Sequence, residues 1–349
     1  MTTHVTTSDD TARAATHHAL STALALYSDR DLRAMIDAAP AFAPSIGGKT
    51  AVLDIDGSPV FVKTVPLSDP EREPANSRST ANVFGLPTYC QYGLAPSPGA
   101  VAWRELAVHT MTTDWVLAGA YGGFPLTHHW RVLPETDLVV PDELADVDKV
   151  VAFWGGDTHG PQVRRRIEAR ATATAGITLF LEYLPQNLHQ WLSAQLALGE
   201  EAAEAALTMV ERELAAGIAF MNGHGLLHFD AHLQNIMTDG HRLFFADYGL
   251  AISDRFELAP DEVEFFRRHE SYDRMYTAWF LVIWLVTELY GHTGADRTAF
   301  IRAVAEGERP TGIPPTAAAI LTRNAGYAVV MGEFADAIHS GAVRTPYPF

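Results

Sequence analysis

Two short segments concentrate the side chains that could do chemistry. The first reads Gly225-Leu226-Leu227-His228-Phe229-Asp230-Ala231-His232-Leu233-Gln234-Asn235-Ile236-Met237, and the second Leu243-Phe244-Phe245-Ala246-Asp247-Tyr248-Gly249-Leu250. In both, polar residues stand between apolar, strand-like runs. A His, two Asp and an Asn held on loops by buried strands make a concentrated set of oxygen ligands and one candidate base. Hard cations such as Mg²⁺ favour carboxylate and amide oxygens, usually with substrate phosphates completing the shell.

The elements around these groups change texture along the chain. Met1 to about Ala15 reads as a mobile tail, followed by helical spacing of Leu20, Leu24, Leu26, Leu32, Met35 and Ile36 that Pro40 stops. Thr50–Ile55 and Pro59–Val65 are β-branched runs separated by Asp56-Gly57-Ser58, a hairpin signal. Ile46-Gly47-Gly48-Lys49 just before them is a small flexible loop, by default a turn. Ser68–Pro98 is rich in Pro, Ser and Asn and reads as an irregular connection, and Val101–Val116 returns to helical spacing. Gln162–Ala173 is predicted helical, its Arg164, Arg165, Arg166 and Arg170 forming a solvated basic face. Gly176–Tyr183 reads as a buried strand ending at Leu184-Pro185, after which the chain turns helical through Leu188–Leu198, Glu200–Gly223 and Met275–Tyr290.

Composition narrows the function classes. An apolar content of 48% with 19% charged residues is that of an ordinary globular protein. A formal net charge of −17 repels phosphate backbones and anionic lipid, so neither nucleic acid nor a membrane is expected as a partner, while a cationic substrate would be attracted. Cys90 is the single cysteine, which excludes an intramolecular disulfide and fits a reducing cytoplasm. The first ten residues lack a basic start followed by an apolar core, so no signal peptide is expected. Met275–Tyr290 is too short for a bilayer span, which needs ~20 residues.

The paired segments resemble the catalytic and metal loops of protein-kinase-like enzymes: His228-x-Asp230, Asn235 five residues on, then Asp247-Tyr248-Gly249. His232 is similar to the aminoglycoside and choline kinase branch. The run from Trp103 to Val116 together with the catalytic segment resembles actinobacterial proteins of the protein-kinase family. The resemblance spans roughly Ile46 to Tyr290. It implies an α+β, two-lobed fold in which residues 1–44 are an N-terminal tail and helical extension. Residues 45–184 would form a β-rich, nucleotide-binding N-lobe with insertions, and 185–349 a helical C-lobe. It further implies ATP and Mg²⁺ as cofactors, Asp230 orienting the acceptor hydroxyl and taking its proton late, and Asn235 and Asp247 holding the metal. Lys63, in Val60-Phe61-Val62-Lys63, would contact the α- and β-phosphates, with Glu105 its partner across an insertion at Ser68–Pro98. Gly47 and Gly48 would be a reduced Gly-rich loop, and Glu182, Tyr183 and Leu184 the hinge that receives the adenine edge. Asp273 would brace the catalytic loop or simply begin a helix.

The chain also departs from the pattern. Phe229 stands where regulated protein kinases carry Arg, and no Ala-Pro-Glu follows Asp247, so loop phosphorylation and the peptide platform of eukaryotic enzymes are not expected. The implied reaction is transfer of the γ-phosphoryl group to a hydroxyl, leaning to Ser or Thr of a protein or biosynthetic precursor peptide, with a separate lyase as a pathway partner. The alternative acceptor is a small hydroxylated molecule of antibiotic type. Two other classes stay open: a pseudokinase binding module, and a metallohydrolase using His228, Asp230, His232 and Asp247 as transition-metal ligands. His17-His18 and His128-His129 read as surface or packing residues.

Overall fold

An Asp-Gly pair can adopt two successive left-handed conformations, and Asp56 and Gly57 do so, with φ of 52° and 81°. In the computed structural model, which describes residues 8–40, 49–135 and 142–349, this turn joins β1 (Lys49–Ile55) to β2 (Ser58–Leu67). Two later strands, β3 (Thr127–Pro134) and β4 (Ala175–Glu182), complete a four-stranded antiparallel sheet ordered β1-β2-β4-β3. In the β2–β4 register Lys63 lies opposite Leu179. The architecture is mixed α and β, with this sheet preceding a mainly helical remainder.

Strand alternation divides the sheet's side chains between two cores. Val60, Val62 and Phe180 meet Leu20, Leu24 and Leu32 on one face. Those leucines come from α1 (Ser8–Leu26) and α2 (Asp29–Ala38), the second capped by Ser28, whose hydroxyl accepts from the Asp31 amide. The segment expected to be a mobile tail up to Ala15 is therefore helical from Ser8, and its apolar face covers the sheet. On the opposite face Val65, Leu67, Ile177, Leu179 and Leu181 meet Trp103 and Leu106 of α3 (Ala102–Leu117).

The irregular connection between β2 and α3 contains a one-turn helix, Asp69–Arg72, and a 3₁₀ turn, Thr88–Gln91. It is tied down from several sides. The Trp103 indole donates to the Glu71 carbonyl at 2.8 Å, the Trp154 indole donates to the Pro96 carbonyl at 2.8 Å, and the Tyr92 hydroxyl meets His269 Nε2 at 2.8 Å. The basic helix, α4 (Gly156–Ala171), corrects the expectation of a solvated face. Arg165 is exposed, but Arg166 and Arg170 are 3% and 7% exposed. They lie one turn apart on the side of Val163 and Ile167, so the same 3.6-residue period that buries the aliphatics buries these arginines. Arg166 finds its counter-charge in Glu71 at 3.0 Å and also donates to the Ala100 carbonyl.

The remainder comprises α5 (Leu188–Leu198), α6 (Glu200–Gly223), α7 (Pro260–Arg268), α8 (Tyr272–Tyr290), α9 (Gly294–Ala305) and α10 (Pro315–His339). Most of α8 is buried in the largest core, as expected of its apolar sequence. Among the described residues no helix is long and apolar enough to cross a membrane.

One contact ties α1 to the end of the sheet. Arg13 makes a two-pronged pair with Glu182, Nε to Oε1 at 2.9 Å and Nη2 to Oε2 at 2.7 Å, and donates to the carbonyls of Gly122 and Phe124. The pair is largely buried, with side chains 9% and 19% exposed. Removing one partner leaves the other charge uncompensated, which in buried pairs costs roughly 3 kcal/mol or more. Arg13→Ala is therefore expected to lower unfolding stability by about 2–3 kcal/mol, since some water reaches Glu182. The double variant Arg13→Met/Glu182→Gln should recover a large part of it in urea denaturation. Equal losses in both variants would contradict the pairing.

Candidate functional site

The alternation of β2 sends Lys63 to the face that carries α3, where Glu105 lies in the first helical turn. Lys63 Nζ sits 2.6 Å from Glu105 Oε1 and 2.7 Å from Asp247 Oδ1, and both Lys63 and Glu105 are buried. Burial alone would depress the Lys63 pKa, but the two carboxylates overcome it and the net shift is upward. For Asp247 burial pushes upward and the Lys63 ammonium outweighs it, drawing the carboxyl down to about 2. Glu105 shifts upward because its burial outweighs the same ammonium. The separation of Lys63 and Glu105 in sequence is closed by the connection between β2 and α3, as the resemblance required.

Short strands hold the two loops. β5 (Leu226–Leu227) pairs with β8 (Ile252–Ser253), and β6 (Ile236–Thr238) with β7 (Leu243–Phe245). Within the loops Phe229 and Asp247 both adopt positive φ, 64° and 62°, a conformation costly for residues with a Cβ. Asp273 at the start of α8 holds the first of them. Its carboxylate accepts from the His228 amide at 2.7 Å and the Phe229 amide at 2.8 Å. Asp273 is thus a brace rather than only a helix start, and burial raises its pKa to about 6 against those two bonds. Phe229 stacks on Tyr272 at 4.5 Å and on Phe265 at 5.3 Å.

His228 is a structural group. Nε2 donates to the Ala246 carbonyl at 3.0 Å and Nδ1 accepts from the Asp230 amide at 3.3 Å, a neutral tautomer that burial favours by lowering the pKa to about 4. Its ring leads to Tyr248 at 5.4 Å and on to His109 of α3 at 4.8 Å, edge to face. With both nitrogens committed, His228 has none left for a transition metal. Among the described residues no group of three His, Cys, Asp or Glu side chains is arranged to hold one. The geometry therefore does not favour the metallohydrolase alternative.

Asn235 Nδ2 donates to the Asp230 carbonyl and to Asp230 Oδ2, both at 3.0 Å, which turns the amide oxygen away from Asp230. Asp247 keeps 39% of its side chain exposed. An amide oxygen and a carboxylate oxygen on one cleft are the donor types Mg²⁺ takes from proteins, with phosphates and water completing its shell. Asp230 is 23% exposed, and burial followed by the charge of Asp247 raises its pKa to about 8.

Lys63, Glu182, Tyr183, Leu184, Asn235 and Asp247 line a single cleft, joined by Thr50, Phe61, His109, Leu181 and Met237. Glu105 stands behind Lys63, and Asp230 is bonded to Asn235. The Glu182 carboxylate is committed to Arg13 and to the Leu126 amide, and its own amide to the Leu126 carbonyl, so it offers no side chain to a ligand. Gly47 and Gly48 lie outside the described residues. His109, Tyr276 and Arg13 were not anticipated. Only His109 left a signal, its place one helical turn beyond Glu105. Of the histidine pairs, His17 and His128 are buried packing partners, Nδ1 to Nδ1 at 3.2 Å.

No protein-family model matches this chain, and no curated protein matches it significantly.

The brace is open to test. Asp273→Ala orphans two buried amides, each worth about 1–3 kcal/mol, so a loss of about 2–6 kcal/mol is expected from the urea midpoint at unchanged m. A loss below about 1 kcal/mol would contradict the role given to Asp273.

Proposed function

We propose that this protein is a phosphotransferase with a two-lobed, protein-kinase-like organisation that moves the γ-phosphoryl group of ATP to a hydroxyl acceptor. The observation that carries the reading is the Lys63 ammonium shared by Glu105 and Asp247 in the same cleft as Asn235, whose amide is bonded to Asp230. Four motifs scattered over 185 positions meet there with the partners such a reaction needs.

The residues divide the work. Phe61, Leu181 and Met237 offer apolar walls to a nucleotide base, and Tyr183 and Leu184 lie at its edge. Lys63 supplies positive charge beside the phosphates, held in place by Glu105. Asn235 and Asp247 would hold Mg²⁺, which when bound neutralises charge on the phosphates. The acceptor oxygen attacks γ-phosphorus as the bond to the β–γ bridging oxygen breaks, and the acceptor proton passes to Asp230. Burial raises the Asp230 pKa to about 8, which makes its ionised form a stronger base for that proton. Little covalent work falls to the protein, so positioning and charge stabilisation supply most of the rate. The grouping of Lys63, Asp230, Asn235 and Asp247 supports transfer over a binding-only pseudokinase.

The favoured acceptor is Ser or Thr of a protein or precursor peptide, with a lyase acting on the phosphorylated product. A small hydroxylated molecule is the second reading. It is favoured by the close approach of Gly93 to Asp230, where a Cβ would fall 2.3 Å from Oδ1. The test is transfer of labelled γ-phosphate to Ser/Thr peptides and, separately, to aminoglycoside-type compounds. The wild-type chain should label one class, and Asp230→Ala should do so at least about a hundredfold more slowly while still binding ATP. Near-normal turnover by Asp230→Ala would sink the base assignment, and labelling confined to small molecules would select the second reading.

A further inference from the structure

Tyr276 lies on α8, within one turn of Asp273, and is completely buried. Its ring is wedged between Tyr272 at 5.4 Å and Phe280 at 4.8 Å, so the hydroxyl is held in one place. That hydroxyl is 2.9 Å from Asp230 Oδ1 and 3.0 Å from the Gly93 carbonyl. On the other side of the carboxylate, Asn235 Nδ2 donates to Oδ2 at 3.0 Å. Asp230 is thus gripped at both oxygens by groups from two different elements. Rotation about its Cβ–Cγ bond would break both contacts, yet each oxygen keeps a further lone pair for an incoming hydroxyl. The single phenolic hydrogen has both the Asp230 carboxyl and the Gly93 carbonyl within hydrogen-bond reach, so the hydroxyl joins the two.

The Gly93 backbone completes the arrangement. A side chain there would collide with Asp230 Oδ1 at 2.3 Å and with the Phe229 carbonyl at 2.9 Å, so only glycine lets residues 92–94 come down onto the carboxylate. Tyr92 anchors that arch through His269, and His339 through the Leu94 carbonyl.

We propose that Tyr276 is a positioning residue for phosphoryl transfer, setting the orientation of the Asp230 carboxylate from the side opposite Asn235 and seating the Gly93 arch as the wall of the acceptor site. This rests on the phosphotransferase reading. Tyr276 touches neither nucleotide nor acceptor in it, and acts through Asp230.

The experiment uses the full chain and needs no known acceptor, because water serves as one. Steady-state hydrolysis of Mg²⁺·ATP is measured alongside Mg²⁺·ATP affinity by calorimetry for wild type, Tyr276→Phe and Gly93→Ala. Tyr276→Phe keeps the ring and removes the hydroxyl. The expected result is a kcat lowered about tenfold or more, with KM for ATP and the calorimetric Kd within about twofold of wild type and melting unchanged within about 2 °C. Gly93→Ala presses on the same oxygen from the other side and should show the same split of kcat from KM, which keeps the test decisive if Tyr276→Phe fails to fold. A kcat within twofold of wild type in whichever variant folds overturns the proposal, as does a fall in kcat matched by an equal loss of nucleotide affinity. Wild type that binds Mg²⁺·ATP without hydrolysing it also overturns the positioning role, leaving the nucleotide site standing. Wild type that binds no nucleotide overturns the phosphotransferase reading itself.

Discussion

Everything at this site depends on one buried ammonium serving two carboxylates. Lys63 comes from the sheet, Glu105 from α3 and Asp247 from the loop after β7, so the contact fixes three elements against one another. Lys63 and Glu105 are almost fully buried, and an isolated charge there would be strongly disfavoured. Removing any one of the three would leave a buried charge without its partner. It also explains why α3 must lie where it does: its first turn has to bring Glu105 to Lys63 while Trp103 and Leu106 cover the sheet.

The loops that face this trio are strained and braced. Phe229 and Asp247 take backbone conformations that residues with a Cβ seldom adopt, Phe229 while stacked on Tyr272. Asp273 accepts from the successive backbone amides of His228 and Phe229, and Tyr276 one turn later grips Asp230. A single buried helix therefore holds both the His228–Phe229 backbone and the Asp230 carboxylate. Phe229, which replaces a charged residue of the kinase pattern, contributes an apolar plug between Tyr272 and Phe265.

The parts of this arrangement legible in the sequence were those encoded over short spans. The Asp56-Gly57 turn, the strand read over Gly176–Tyr183, the α8 helix and the spacing of Asp230, Asn235 and Asp247 are each local patterns with a physical cause. What escaped depends on partners far along the chain. Arg13 and Glu182 are 169 positions apart, and nothing in either neighbourhood announces the other. Arg166 and Arg170 looked solvated because charge is normally outside, and only the location of Glu71 and nearby carbonyls overrides that rule. β3 lies in a Gly- and Pro-rich stretch whose strand character comes from pairing with β4. Tyr276 read as one more apolar face of a buried helix, since periodicity cannot report where a hydroxyl points.

The central claim is that the cleft around Lys63 takes a nucleotide together with Mg²⁺. The most direct measurement is a calorimetric titration of the purified chain with ATP, with and without Mg²⁺, beside Asp247→Ala. The account predicts binding that depends on Mg²⁺ in the wild-type chain and disappears in the variant, because the carboxylate facing both Lys63 and the cleft is gone. Absence of nucleotide binding under every condition, or binding indifferent to both Mg²⁺ and Asp247, would contradict it.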